Sequence, residues 1–149
     1  MSEHRATIVW NRNSRDSSYD AYSRDHTWEF ESGVKIEASA APDFLGTPEN
    51  LDPEEAYVAA LSSCHMLTFL AIAARRRLVV EAYTDSAVGH LEKNAHGKLA
   101  ITRVVLRPQI SFAEGTHPSA EELEKLHHMA HTQCFIANSV HTAISIESG

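Results

Sequence analysis

The longest hydrophobic segment of the chain runs from Glu54 to about Arg77 and predicts its main helix. Asp52 precedes this segment as a candidate N-cap, and Pro53 suits the first helical position. Acidic residues at its start and arginines at its end complement the helix dipole. Apolar side chains occupy nearly every face between these ends: Ala56, Val58, Leu61, Met66, Leu67, Phe69, Leu70 and Ile72. A helix that is apolar all round is buried in a core or against a partner.

Segments rich in β-branched and aromatic residues predict strands on both sides of this helix. Residues 4–10 form one candidate strand, and residues 26–39 form two short strands around a turn at Ser32-Gly33. Val79 to Leu91 and Leu99 to Phe112 are typical of two long strands. The polar segments between these elements, including residues 11–20 and 40–52, are typical of loops. Pro108 is expected at a sheet edge or a bulge.

Further helices and a last strand are expected after the second pair of strands. Ser119 and Glu122 form a capping box that opens a helix ending near His131. A short helix is predicted from Cys134 to Val140, and a strand from Thr142 to Glu147. The order strands, helix, strands, helices, strand predicts an α+β fold, with antiparallel sheets packed around a long central helix. The length fits a single domain over residues 1–149.

Composition narrows the function. The chain has 13 basic and 20 acidic residues, a net charge of −7, and 7% aromatic residues, which argues against a nucleic-acid partner. The longest nearly apolar stretch, Met66 to Ala74, is shorter than the ~20 residues that span a bilayer. No secretory signal is visible at the N-terminus, so a cytoplasmic protein is expected. A chain of 16.5 kDa has little room to surround the central helix alone, which predicts a homodimer.

The two cysteines are too few for a disulfide scaffold. Cys64 lies in the middle of the long helix within Ser62-Ser63-Cys64-His65, and Cys134 lies in a polar segment at the predicted start of the next short helix. A helix N-terminus lowers the pKa of a thiol, so a lowered pKa is expected for Cys134. If the two thiols meet, one can attack a peroxide and become a sulfenic acid that the other condenses with. The simpler alternative is that Cys64 is an inert core residue.

Two motifs resemble the OsmC/Ohr family of osmotically inducible and organic hydroperoxide resistance proteins. The first is Pro53-Glu54 followed after nine residues by Cys64, and the second is the segment Gln133-Cys134-Phe135-Ile136-Ala137-Asn138-Ser139. The resemblance covers nearly the whole chain. It implies an intertwined homodimer that carries two active sites at the subunit interface. It also implies an oxidative stress enzyme, a thiol-dependent peroxidase that needs no cofactor and reduces organic hydroperoxides to alcohols.

The resemblance also implies roles for single residues. Cys64 would be the peroxidatic cysteine and Cys134 the resolving one, reduced again by an external dithiol, for which a lipoylated protein is the family expectation. Glu54 would hold an activating arginine, for which Arg24 is the choice, with Arg15 and Arg12 as alternatives. Glu54 and Cys64 are ten residues apart, about 15 Å along one helix. Glu54 would therefore come from the partner subunit, or Arg24 would bridge the gap.

The chain departs from the family pattern at two positions. His65 follows Cys64 where many members have an aromatic or aliphatic residue, and Phe135 follows Cys134 where many have proline. These departures bear on the polarity near the first sulfur and on the mobility of the second.

Two other functions remain open from the residues. His127, His128 and His131 share helix-face spacing and could hold zinc together with Cys64, His65 and Cys134. However, no paired Cys-x-x-Cys motif accompanies them, and no metal site is predicted. The second alternative is a module that binds a hydrophobic ligand between apolar helices, with Cys64 as part of the lining.

Overall fold

The computed structural model describes residues 1–148 and divides into two compact units, residues 1–56 and the residues from Tyr57 onward. The first unit contains a three-stranded antiparallel sheet of β1 (Ala6–Val9), β2 (His26–Phe30) and β3 (Lys35–Ala38). These strands confirm the three predicted from the sequence. Gly33 occupies the turn between β2 and β3 with a φ of 90°, a conformation that favours glycine.

A loop with one 3-10 turn, Pro42–Phe44, follows β3 and leads to the long helix. Gly46 packs so tightly in this loop that a Cβ atom would lie 1.6 Å from the carbonyl oxygen of Ala40. The segment returns beside β3, where the backbone N–H of Ser39 donates to the carbonyl of Leu51 at 2.8 Å.

Helix α1 (Pro53–Arg75) confirms the predicted main helix. The backbone N–H of Glu55 donates to Oδ1 of Asp52 at 2.8 Å, and the Glu55 carboxylate accepts from the Asp52 N–H at 3.1 Å. This reciprocal pair is a capping box with aspartate as the N-cap. The helix ends before Arg77, which has a φ of 60°.

Among residues 1–148, a single stripe of α1 is buried. It consists of Leu61, His65, Phe69, Ile72 and Ala73. Other apolar positions face outward, and Leu67 is 61% exposed. Helix α1 is long and apolar enough to cross a bilayer, and the core helices of soluble proteins can have the same length and composition. The prediction that the apolar stretch is too short to span a bilayer is therefore wrong. Small residues on both sides of that stretch extend the apolar segment toward both helix ends.

The second unit contains two sheets built from the segments predicted as two long strands. Strand β4 (Val80–Asp85) pairs antiparallel with β7 (Pro108–Phe112). Strand β5 (Val88–Lys93) pairs antiparallel with β6 (Leu99–Leu106), which in turn pairs in parallel with β8 (Ala143–Ile146). The prediction of two unbroken strands is therefore wrong. The predicted α+β fold with antiparallel sheets and a long helix is confirmed, with β6 and β8 as the one parallel strand pair among the described residues.

Asp85 and Pro108 explain why each long segment divides. Pro108 has no N–H for the ladder and opens β7. The carboxylate of Asp85, at the end of β4, accepts the backbone N–H of Arg107 at 2.6 Å. A side chain thus satisfies a backbone donor at the point where the chain passes from one sheet to the other.

Helix α2 (Ala120–Gln133) starts at the predicted capping residue, because Oγ of Ser119 accepts the backbone N–H of Glu122 at 3.1 Å. The short helix expected from Cys134 to Val140 is only a 3-10 turn, Ala137–Ser139. Cys134 is the C-cap of α2 and does not begin a helix.

Side chains of the buried stripe of α1 are part of two apolar clusters in the second unit. Phe69, Ile72 and Ala73 pack with Leu126 and Ala130 of α2, against side chains of β4 and β7. Nearer the start of α1, Leu61 packs with Val104 and Leu106 of β6. Cys64 and His65 lie on the helix between these two clusters.

Candidate thiol site

The structure brings the two cysteines together although they lie 70 positions apart in the sequence. Both are free thiols; Cys64 is half-buried, and Cys134 is only 1% exposed. Burial raises the pKa of the Cys134 thiol, and the neighbouring Cys64 side chain raises this pKa further. The backbone N–H of Ala137, 3.5 Å from the Cys134 sulfur, acts in the opposite direction.

The expectation of a lowered pKa at Cys134 is wrong for a simple reason. The residue ends α2, so the positive end of a helix dipole does not face its sulfur. Burial then dominates, because removing the sulfur from water disfavours the thiolate. Chemically, the arrangement is a reduced dithiol whose two sulfurs are neighbours, and such a pair can be oxidised to a disulfide.

Next to the thiols lies a buried pair of histidines. Nε2 of His65 and Nδ1 of His127 are 3.0 Å apart, and the two rings are stacked with an angle of 11° between their planes. Burial lowers the pKa of each ring to about 4. Both rings are therefore neutral at pH 7. In the sequence, His65 stood out as a departure from the family pattern and His127 as a candidate zinc ligand. No feature of the sequence indicated that the two residues pair.

Asp85 joins α1 to the strand junction beside this site. Its Oδ2 accepts the hydroxyl of Ser62, two residues before Cys64, while its Oδ1 accepts the Arg107 N–H. Its negative charge partly opposes the lowering of both histidine pKa values. Sequence reasoning missed Asp85, since a lone aspartate at a strand end carries no distinguishing signal.

Arg24 lies in the first unit, in a cleft of about 440 Å³ that Trp10, His26 and Pro53 also line. Its guanidinium donates to the carbonyls of Tyr22 and Tyr19, each at 2.6 Å. It also lies 3.7 Å from the centroid of the Tyr22 ring, as in a cation–π contact. The cleft is thus mainly apolar, with one fixed cation.

Glu54 follows Pro53 of this cleft and is half-buried. Burial raises the pKa of its carboxyl, and the nearby Asp52 charge raises it further. Among residues 1–148, Arg24 and Glu54 form no ion pair with each other. Of the alternative arginines, Arg12 donates to the backbone carbonyl of Arg15 at 2.5 Å.

The zinc hypothesis finds no ligand set in the structure. Within the described part of the chain, no three side chains of histidine, cysteine, aspartate or glutamate gather as a metal site would require. His127 is turned toward His65, whereas His128 is exposed.

The α+β fold and the neighbouring cysteines are consistent with a family that sequence comparison identifies independently. Residues 46–149 match the family described as OsmC-like protein, and the chain belongs to this family. No curated protein matches the chain in a sequence search.

Solved structures agree with this assignment. An OsmC-like protein of unknown function from Vibrio cholerae is 55% identical, with a TM-score of 0.95 and complete coverage of both chains. An organic hydroperoxide resistance protein from Elizabethkingia anophelis is 17% identical, with a TM-score of 0.75 and coverage of 99% of this chain and 94% of the other. One from Bacillus subtilis is 15% identical, with a TM-score of 0.70 and coverage of 99% and 98%. The last two show a shared fold.

Proposed function

We propose that the protein is a thiol-dependent peroxidase that reduces organic hydroperoxides to alcohols through its two cysteines. The observation that carries this proposal is the direct neighbourhood of the Cys64 and Cys134 thiols inside an OsmC-like fold. The Cys64 thiolate attacks one peroxide oxygen, and the O–O bond breaks. The alcohol leaves after its alkoxide takes up a proton, and Cys64 becomes a sulfenic acid.

The second step forms the disulfide. The Cys134 thiol loses its proton and attacks the Cys64 sulfenic sulfur, and hydroxide leaves as water. An external dithiol, with a lipoylated protein as the family expectation, then reduces the disulfide by exchange. Burial and a raised pKa suit Cys134 to this resolving role, because they keep it protonated and away from peroxide until the sulfenic acid has formed.

The proposal gives Arg24 the task of favouring the Cys64 thiolate, with Glu54 orienting it. A guanidinium stays charged and has five N–H donors, of which the two carbonyl contacts of Arg24 use two. The apolar surface of its cleft would suit the organic part of a hydroperoxide.

We further propose that two chains form a homodimer, with residues 1–149 acting as one OsmC-like domain in the cytoplasm. The outward apolar positions of α1, such as Leu67, support this assembly, since residues 1–148 of the same chain leave them exposed. Light scattering on the purified protein would give twice the chain mass of 16.5 kDa. A monomer mass at micromolar concentration would overturn the homodimer.

Stopped-flow measurement with an organic hydroperoxide tests the reaction directly. We expect the wild-type protein to consume one equivalent of peroxide per chain without added reductant, faster with an organic hydroperoxide than with hydrogen peroxide. Mass spectrometry of the product then shows a Cys64–Cys134 disulfide. Peroxide consumption without this disulfide would contradict the two-cysteine mechanism.

Arg24→Met is expected to slow the first step by about 10²-fold at pH 7, because a charged donor no longer stabilises the thiolate and the developing alkoxide. Arg24→Lys keeps the charge without the planar donor set, and its rate should lie between the two. The rate constant of the first stopped-flow phase measures this effect.

Arg12→Met and Arg15→Met serve as matched controls from the same N-terminal region. If one of them slows the reaction and Arg24→Met does not, the activating role passes to that arginine.

Binding of a hydrophobic ligand is the second candidate function, and the apolar cleft around Arg24 is the observation that favours it. A pure binding protein would retain its ligand and show no peroxide turnover in either the wild-type or the Cys64→Ser form.

A further inference from the structure

The buried histidine pair has no part in the chemistry proposed above. His65 and His127 are 1% and 3% exposed, and each bonds the other through one ring nitrogen. A hydrogen bond between two rings needs one N–H and one lone pair, which two neutral rings supply. The remaining nitrogens, Nδ1 of His65 and Nε2 of His127, have no partner among the described residues.

This pair connects the same two helices that carry the thiols. His65 is adjacent to Cys64 on α1, and His127 precedes Cys134 by seven residues on α2, close to two helical turns. The last two turns of α2 therefore meet one short part of α1 at two polar points. Two points fix the direction of α2 here, whereas one point would leave it free to pivot.

The other contacts between these helices give less directional control. Phe69, Ile72 and Ala73 of α1 pack against Leu126 and Ala130 of α2, and apolar contacts of this kind are non-directional. A hydrogen bond, in contrast, weakens steeply when its angle or length changes. Two imidazoles with two unpaired nitrogens are also costly to bury, so stability alone does not explain their presence in this core.

We propose that the His65–His127 hydrogen bond is a positioning contact that holds Cys134 within bonding reach of Cys64. The inference rests on the proposed function, since it concerns the step in which the two thiols become a disulfide. A disulfide requires Cβ atoms about 3.5–4.5 Å apart, so a small rotation of α2 is enough to prevent it. The histidines are positioning residues and do not touch the peroxide.

The test is the equilibrium of the two thiols with glutathione, which involves no peroxide. Oxidised glutathione takes two electrons and two protons from Cys64 and Cys134, giving the protein disulfide and two molecules of reduced glutathione. Mass spectrometry at several glutathione ratios gives the equilibrium constant. The wild-type protein is compared with His65→Leu and His127→Leu, which remove the hydrogen bond, and with His128→Asn, an exposed control on α2.

We expect each leucine variant to lower the equilibrium constant about tenfold or more, while His128→Asn stays within about threefold of wild type. The double variant His65→Gln/His127→Asn should also stay within this range. Its amides can place polar nitrogen or oxygen atoms near the original Nε2 and Nδ1 positions and restore the bond. Unchanged constants in both leucine variants would overturn the positioning role.

A second comparison decides the matter if the leucine variants do not fold. His127→Asn places its amide near the Nδ1 position that reaches His65, whereas His127→Gln places it near Nε2, which does not. A larger constant for asparagine than for glutamine supports the proposal, and equal constants overturn it. A wild-type protein that forms no disulfide with glutathione would instead overturn the disulfide cycle itself.

Discussion

The Cys64→Ser protein is expected to reduce organic hydroperoxides at least about 10³-fold more slowly than the wild-type protein. A serine hydroxyl is scarcely ionised at pH 7 and forms neither a sulfenic acid nor a disulfide, so both proposed steps are lost. Peroxide consumption over one turnover, without added reductant, measures the effect. Thermal melting should remain close to that of wild type, since Cys64 is only half-buried and the serine keeps the same shape with a slightly smaller atom.

Cys134→Ser is the informative partner of this variant. The first step remains, so one equivalent of hydroperoxide per chain is still consumed, but Cys64 then stays a sulfenic acid that carries one added oxygen atom by mass. Ser63→Ala, at the exposed neighbour of Cys64, serves as the control and should turn over normally. Wild-type turnover by Cys64→Ser would exclude Cys64 as the nucleophile.

Acidification is expected to cost the folded protein several kcal/mol through the histidine pair. Burial lowers the pKa of His65 and His127 from 6.5 to about 4, so the unfolded chain binds more protons between these two values. The free energy of unfolding is therefore highest above pH 6.5 and falls as the pH drops toward 4. At pH 5 the loss is about 2 kcal/mol per ring.

Urea unfolding at pH 7 and pH 5 measures this loss. The neighbouring Asp85 favours the protonated form of both rings, whereas His131 disfavours the protonated form of His65. The double variant His65→Gln/His127→Asn cannot bind these protons and should lose much less stability, whereas His128→Asn should behave as wild type. Equal losses in the double variant and the wild-type protein would contradict this origin of the pH dependence.

Local signals in the sequence were sufficient for much of the fold. The bounds of α1 followed from Asp52, Pro53 and the terminal arginines, and the start of α2 followed from the capping box at Ser119, because such signals act within one turn. The strand breaks at Asp85 and Pro108 were missed. They depend on which sheet each half of the segment joins, and this is decided by tertiary contacts.

Features of the candidate site also fall into those that the sequence predicted and those that it did not. Spacing around Cys64 and Cys134 was enough to identify the family, which the match over residues 46–149 shows. The electrostatic expectation for Cys134 failed, because it depended on which helix end the residue occupies and on how deeply it is buried. Arg24 and Glu54 stay proposals, each located in the first unit and unpaired with the other within residues 1–148.

The sequence by itself determined that this chain has two cysteines on an OsmC-like framework and a long helix that is apolar on nearly every face. Only the tertiary structure decided that the two sulfurs are neighbours, that Cys134 is the more buried of them, and that His65 pairs with His127 beside them. The physical reason is the distance along the chain over which each interaction acts. Capping, periodicity and turn preferences act over a few residues, whereas the burial and pKa of these side chains depend on helices whose contacting residues lie 62 and 70 positions apart.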